Sequence, residues 1–140
     1  MAAFINESFV PLEAHIKEHP AYFKRFEAIW TPSVIVLDAG GIERRRSEGY
    51  LPKDEFRAEL EMALARVAVM SKNWAEAERL YQEVLSRYPE SKVAPEALYW
   101  EGVSRYKATN DHTVLGELPA KFRERYPDSE WALKTVAWEH

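Results

Sequence analysis

Two rhythms of apolar residues divide the chain near residue 57. Before it, short β-branched runs alternate with helical pieces and turn residues; after it the text is helical and rich in Ala, Glu, Leu and Arg. SFVPLEAHI (8–16) reads as a strand with Pro11 at its start or on an edge, and EHPAYFKRF (18–26) as a short helix with Pro20 in the first helical position. PSVIVLD (32–38) is a continuous apolar run of the kind a strand buried on both faces carries. Ala39, Gly40 and Gly41 supply a turn, and IERRRSEGYL (42–51) a polar strand that folds back antiparallel on its predecessor. Residues 49–52 end it and put Pro52 at a helix start. The predicted order is β-α-β-β-α: α/β architecture, three strands wide, with a parallel crossover joining the first two strands.

Beyond residue 57 the period is that of amphipathic helices. Phe56, Leu60, Ala63, Leu64 and Val67 share one face, and Ala77, Tyr81, Val84, Leu85 and Tyr88 repeat the pattern one helix later. The short polar SKNW between them predicts an antiparallel helical hairpin. A third helix is predicted over 93–108, TNDH forms a loop, and a fourth helix follows in which Pro119 should cause a kink or a delayed start. A last short helix, about 129–138, follows the cap candidates Asp128 and Ser129. SRYPES (86–91) and ERYPDS (124–129) lie 38 residues apart, an echo that signals stacked helix pairs.

Composition narrows the chemistry. With 140 residues, 46% hydrophobic and 13% aromatic, the chain can bury a core. A net charge of −4 gives no electrostatic footprint for nucleic acid. The absence of cysteine excludes disulfides, thiolate metal sites and cysteine nucleophiles. No apolar run reaches the length of a membrane span, and the N-terminal stretch lacks the pattern of a signal peptide, so no membrane partner is expected and the cytoplasm is the default location.

Two resemblances sharpen the picture. Residues 58–91 resemble a tetratricopeptide repeat: Ala65 takes the small-residue position of the first helix, and Ala77, Tyr81, Val84 and Pro89 follow the second-helix pattern. A degraded second copy runs from about 94 to 129, with Gly102 as its small residue and Pro127 as its closing proline. Residues 3–68 resemble the second half of a thioredoxin fold, carried by Thr31-Pro32 before a buried strand, the Gly turn and an edge strand ending in GYLP. This second resemblance implies a cis Thr31-Pro32 bond and a loop that touches extended substrate backbone. The family's opening strand, central strand and CxxC are missing. The central strand belongs between the strands read at 8–16 and 32–38. Either those two close up, a second copy fills the gap, or the chain is part of a longer protein; dimerisation is the favoured consequence.

Other candidates weigh less. His15 and His19 suggest a metal, but without a third ligand they read as boundary histidines; His112 and His140 are isolated. Arg44, Arg45 and Arg46 are read as a solvated edge strand rather than a phosphate site, and Asp38 as an Asx-turn residue. Tyr99, Trp100, Tyr106, Trp131 and Trp138 are explained mostly by core packing, while the repeat resemblance adds a peptide groove with Arg105 and Lys107 as partners for acidic groups. The sequence therefore reads as α/β plus all-α: a truncated thioredoxin-like β-α-β-β-α unit over 1–57, its last helix continuing to about 70, then repeat-like helical hairpins over 58–140. The expected role is non-catalytic protein or peptide binding, without cofactor, through Thr31, Pro32, Tyr99, Trp100, Arg105 and Lys107, with a homodimer formed through the exposed sheet edge. The rival is the C-terminal portion of a thioredoxin-family thiol-disulfide oxidoreductase or chaperone-associated protein whose CxxC segment lies upstream.

Overall fold

The computed structural model describes residues 1–139; the isolated His140 lies outside them. Its elements run α1 (Ala2–Ser8), α2 (Pro20–Arg25), β1 (Ser33–Leu37), β2 (Glu43–Glu48), α3 (Lys53–Met70), α4 (Trp74–Arg87), α5 (Ala94–Thr109), α6 (Thr113–Arg125) and α7 (Glu130–Lys134), closed by a 3-10 turn over Val136–Trp138. They form two compact units. One comprises Met1–Ile35 with Arg46–Tyr50; the other comprises Val36–Arg45 with the chain from Leu51 onward.

In the first unit α2 begins as the sequence dictates, with Pro20 in its first turn, and its Tyr22 ring stacks on Phe26 at 6.5 Å. Arg46 turns back to donate to the carbonyls of Phe26 and Glu27, at the C-terminal end of that helix. The strand expected over 8–16 is not formed: α1 runs to Ser8 and the sheet has two strands, β1 and β2. A strand needs a neighbour for its amides. Here Pro11 cannot donate, and Val10 and Leu12 are 98% and 74% exposed. The option in which the 8–16 and 32–38 segments pair directly is thereby overturned.

The loss of that neighbour also corrects the burial of β1. Only Val36 is buried, because a two-stranded sheet covers one edge and leaves the apolar run half open. Asp38 makes the turn as read: its Oδ1 accepts from the amides of Gly40 (2.9 Å) and Ile42 (3.0 Å), and Gly41 takes φ +82°. Those amides, Ile42 first, together with Arg44 hold its carboxyl below the usual range despite desolvation. The three arginines are no solvated edge. Arg44 pairs with Asp38 at 2.8 Å, Arg45 is held by two glutamates and Arg46 by backbone carbonyls, so all three are half-buried.

In the second unit α3 and α4 form the expected hairpin around Ala58, Met62, Ala65, Ala68 and Val69 facing Ala77, Tyr81 and Val84. The face read on α3 is only part of its buried surface. Leu60 and Ala63 are buried, Phe56, Leu64 and Val67 half-buried, and the small residues on other faces carry the helix contact. A helix covered on several sides has no single apolar stripe for the period to find. The echo in the sequence is an echo in space. Tyr88 and Tyr126 cap α4 and α6 with nearly the same backbone angles, φ −131° and −141°. Ser91 and Ser129 then accept from the amides of Val93 (3.2 Å) and Trp131 (3.1 Å). The Tyr126 hydroxyl donates to the Pro89 carbonyl at 2.8 Å, joining the two copies. At Gly102 an added Cβ would lie 2.7 Å from Leu118, so the small residue is what lets α5 approach α6. Helix α6 runs unbroken through buried Pro119, without a delayed start; lacking an N–H, Pro119 leaves the Leu115 carbonyl without that bond. The last predicted helix is split into α7, capped by Ser129 as expected, and the 3-10 turn.

Candidate functional site

The chemistry-bearing residues fall in two places. In the first unit the Thr31-Pro32 bond is cis, as the resemblance implied. Ser33 Oγ donates to the Trp30 carbonyl at 2.5 Å, and the amide of Gly49, at φ +91°, donates to the Pro32 carbonyl at 2.7 Å. The loop is thus held from both ends while Thr31, Pro32 and the side chains of Ile29 and Trp30 stay exposed. His15 and His19 are taken up locally, each Nδ1 accepting a backbone amide. Among the described residues no group of three metal-ligating side chains comes together.

In the second unit α5 carries Tyr99, Trp100, Arg105 and Lys107. Tyr99 and Trp100 touch edge to face at 5.5 Å but serve different neighbours. Trp100 packs on the α3–α4 cluster under the Arg66 guanidinium, 5.3 Å from its ring centroid; Tyr99 packs on Trp131 and Trp138. Burial pushes the Tyr99 phenol upward in pKa. Arg105 is matched by the chain's own carboxylates, Glu78 at 3.0 Å and buried Glu101 at 2.9 Å, which hold it above its ordinary value. Lys107 is exposed, its Nζ 6.0 Å from the ring centroids of Trp74 and Tyr106. An open depression of about 480 Å³ lies among Leu85, Leu98, Glu101, Lys121 and Arg125, and none of the four α5 residues lines it.

The residues that sequence reasoning missed are Glu59 on α3 and Glu96 on α5. Arg45, on β2, donates from Nε to Glu59 Oε2 at 2.5 Å and from Nη1 and Nη2 to Glu96 at 2.7 and 3.4 Å. Desolvation opposes the charge, yet hydrogen bonds and charge from Glu59 and Glu96 outweigh it and hold the guanidinium above its ordinary value. The one sequence signal was alternation, which turns Arg45 away from Arg44 and Arg46; no spacing links it to either glutamate.

Comparison with known families agrees with both resemblances. The family model of a thioredoxin-like domain matches residues 3–64, and that of a tetratricopeptide repeat matches 57–91. The chain is therefore a thioredoxin-like domain followed by a tetratricopeptide-like helical region, without the cysteines of a CxxC pair. The two matches overlap over residues 57–64, within α3. No curated protein and no solved structure matches the chain. No helix among the described residues is long and apolar enough to cross a membrane.

Proposed function

We propose that this chain is a non-catalytic binding or scaffold protein that docks a protein or peptide on its helical region, with the cytoplasm as its place of work. The observation that supports this most is the repeat: α3–α4 and α5–α6 carry the same cap chemistry 38 residues apart, the architecture with which tetratricopeptide proteins hold partner polypeptides. Tyr99, Trp100, Arg105 and Lys107 are the docking residues on α5, and the exposed loop at Thr31 and Pro32 supplies a second edge for extended backbone. Capture of a partner by the full chain should be lost when Tyr99, Trp100 and Arg105 are changed to alanine while circular dichroism shows the fold retained. Intact capture by that folded variant would sink the reading.

The outer edge of β1 supports the homodimer. In the hairpin, Asp38 donates to Ile42 and Pro32 accepts from Gly49, so alternation aims the backbone groups of Ser33, Ile35 and Leu37 away from β2. Antiparallel pairing of two such edges would satisfy them. Light scattering on a sizing column should show a concentration-dependent dimer; a monomer throughout ends the idea. The exposed, held Thr31-Pro32 loop also fits the second reading, the C-terminal portion of an oxidoreductase. An in-frame CxxC in the coding DNA upstream would favour it over the scaffold.

A further inference from the structure

We infer that the α3–α5 face is a docking surface for an extended, arginine-bearing polypeptide, and that the chain's own Arg45 segment is its resident occupant. The inference deepens the docking reading above and rests on it. Glu59 and Glu96 receive all three donor directions of one guanidinium, Nε on α3 and Nη1 with Nη2 on α5, a fork that an ammonium cannot reproduce. A second guanidinium contact, internal to the face, links the same two helices. Trp100 follows Glu96 by four positions and Arg66 follows Glu59 by seven, which is one and two turns along, and the Arg66 guanidinium sits 5.3 Å from the Trp100 ring centroid. The face thus engages guanidinium groups in two ways, Arg45 through carboxylates and its own Arg66 through the Trp100 ring.

What occupies the carboxylate pair is a strand, not a free side chain. Arg45 is delivered from β2, in the Val36–Arg45 segment that belongs to the same compact unit as the helices. The surface thus already holds extended backbone with an arginine pointing inward. The Arg45 and Glu59 side chains each keep 20% of their surface exposed and Glu96 keeps 21%, so the clamp lies at the rim of the surface, and an incoming arginine reaches the carboxylates when Arg45 leaves them. A partner segment competes with this tethered occupant, and its apparent affinity is reduced by the fraction of time Arg45 is seated.

The test uses a capped peptide copying residues 42–48, IERRRSE, titrated into the full chain and followed by fluorescence anisotropy. Arg45→Ala should bind it at least about tenfold more tightly than wild type, because the internal competitor is gone. Adding Glu59→Gln and Glu96→Gln should remove that gain, and a peptide with its central arginine replaced by lysine should bind more weakly. Equal affinity for wild type and Arg45→Ala, or binding indifferent to the glutamine changes, overturns the inference. Should Arg45→Ala fail to fold, hydrogen exchange on wild type decides: excess peptide should speed exchange at residues 38–45, and unchanged exchange counts against it. If the peptide test fails while the α5 alanine variant still loses its partner, the docking reading stands and only the arginine assignment falls.

Discussion

Arg45 and Glu96 lie 51 positions apart in sequence and meet through two N–H donors, with Glu59 completing the clamp from a second helix. One side chain of the β-hairpin thereby ties together the first helices of two successive helical hairpins. Removing it leaves two half-buried carboxylates without their cation. Arg45→Ala should cost about 2 kcal/mol, the scale of charge-assisted hydrogen bonds. A double-mutant cycle with Glu96→Gln, read by urea denaturation, should show coupling above about 1 kcal/mol. Additive effects would mean that the pair is screened and idle.

Gly102 tests the closeness of α5 and α6. A methyl there meets the Leu118 side chain, itself 1% exposed, which must shift to admit it. Overpacking of about 1–3 kcal/mol outweighs the roughly 1 kcal/mol of helix propensity that alanine gains over glycine. Gly102→Ala should be mildly destabilised and Gly102→Val far more so by thermal melting. A more stable alanine variant would show that the helices can part.

Tyr126 tests whether the two repeat copies are joined. Its hydroxyl reaches the Pro89 carbonyl at the end of the preceding copy. Tyr126→Phe should lose about 0.5–1.5 kcal/mol, with faster amide exchange around residues 88–91. No change in either measurement would reduce the echo to sequence likeness.

Glu61 sets a pH dependence. It is buried on α3; desolvation raises its carboxyl pKa against the opposing charges of Arg87 and Arg57, with Glu83 adding to the rise. A folded pKa raised above the unfolded one means stability that is present in acid and lost as pH climbs through the folded value. Glu61→Gln should therefore be relatively more stable than wild type at neutral pH, the gap closing as the solution is acidified. A gap constant with pH would assign the effect to lost contact with Arg87, 2.9 Å away, rather than to ionisation.

The parts of the fold legible in the sequence were those written in local rules. Asp38 beside two glycines, Pro20 at a helix start, Ser129 before a helix, and the RYP echo each carry their chemistry within a few residues. The cis bond was read from likeness to a family. What failed depended on partners that local sequence does not name. VPLEAHI had apolar residues but no neighbouring strand, and the arginine triplet looked solvated because Glu59 and Glu96 are distant in sequence. The aromatic residues of α5 were found, but not that Tyr99 and Trp100 serve different clusters.

The most direct measurement is site-specific photo-crosslinking on the full chain. A photoreactive residue at exposed position 107 on α5, and another at exposed position 92 outside the helix, would each be irradiated with the captured partner. Docking on α5 predicts polypeptide adducts from position 107, lost when Trp100 is changed to alanine in a folded chain. Adducts from position 92 with none from 107 would contradict it.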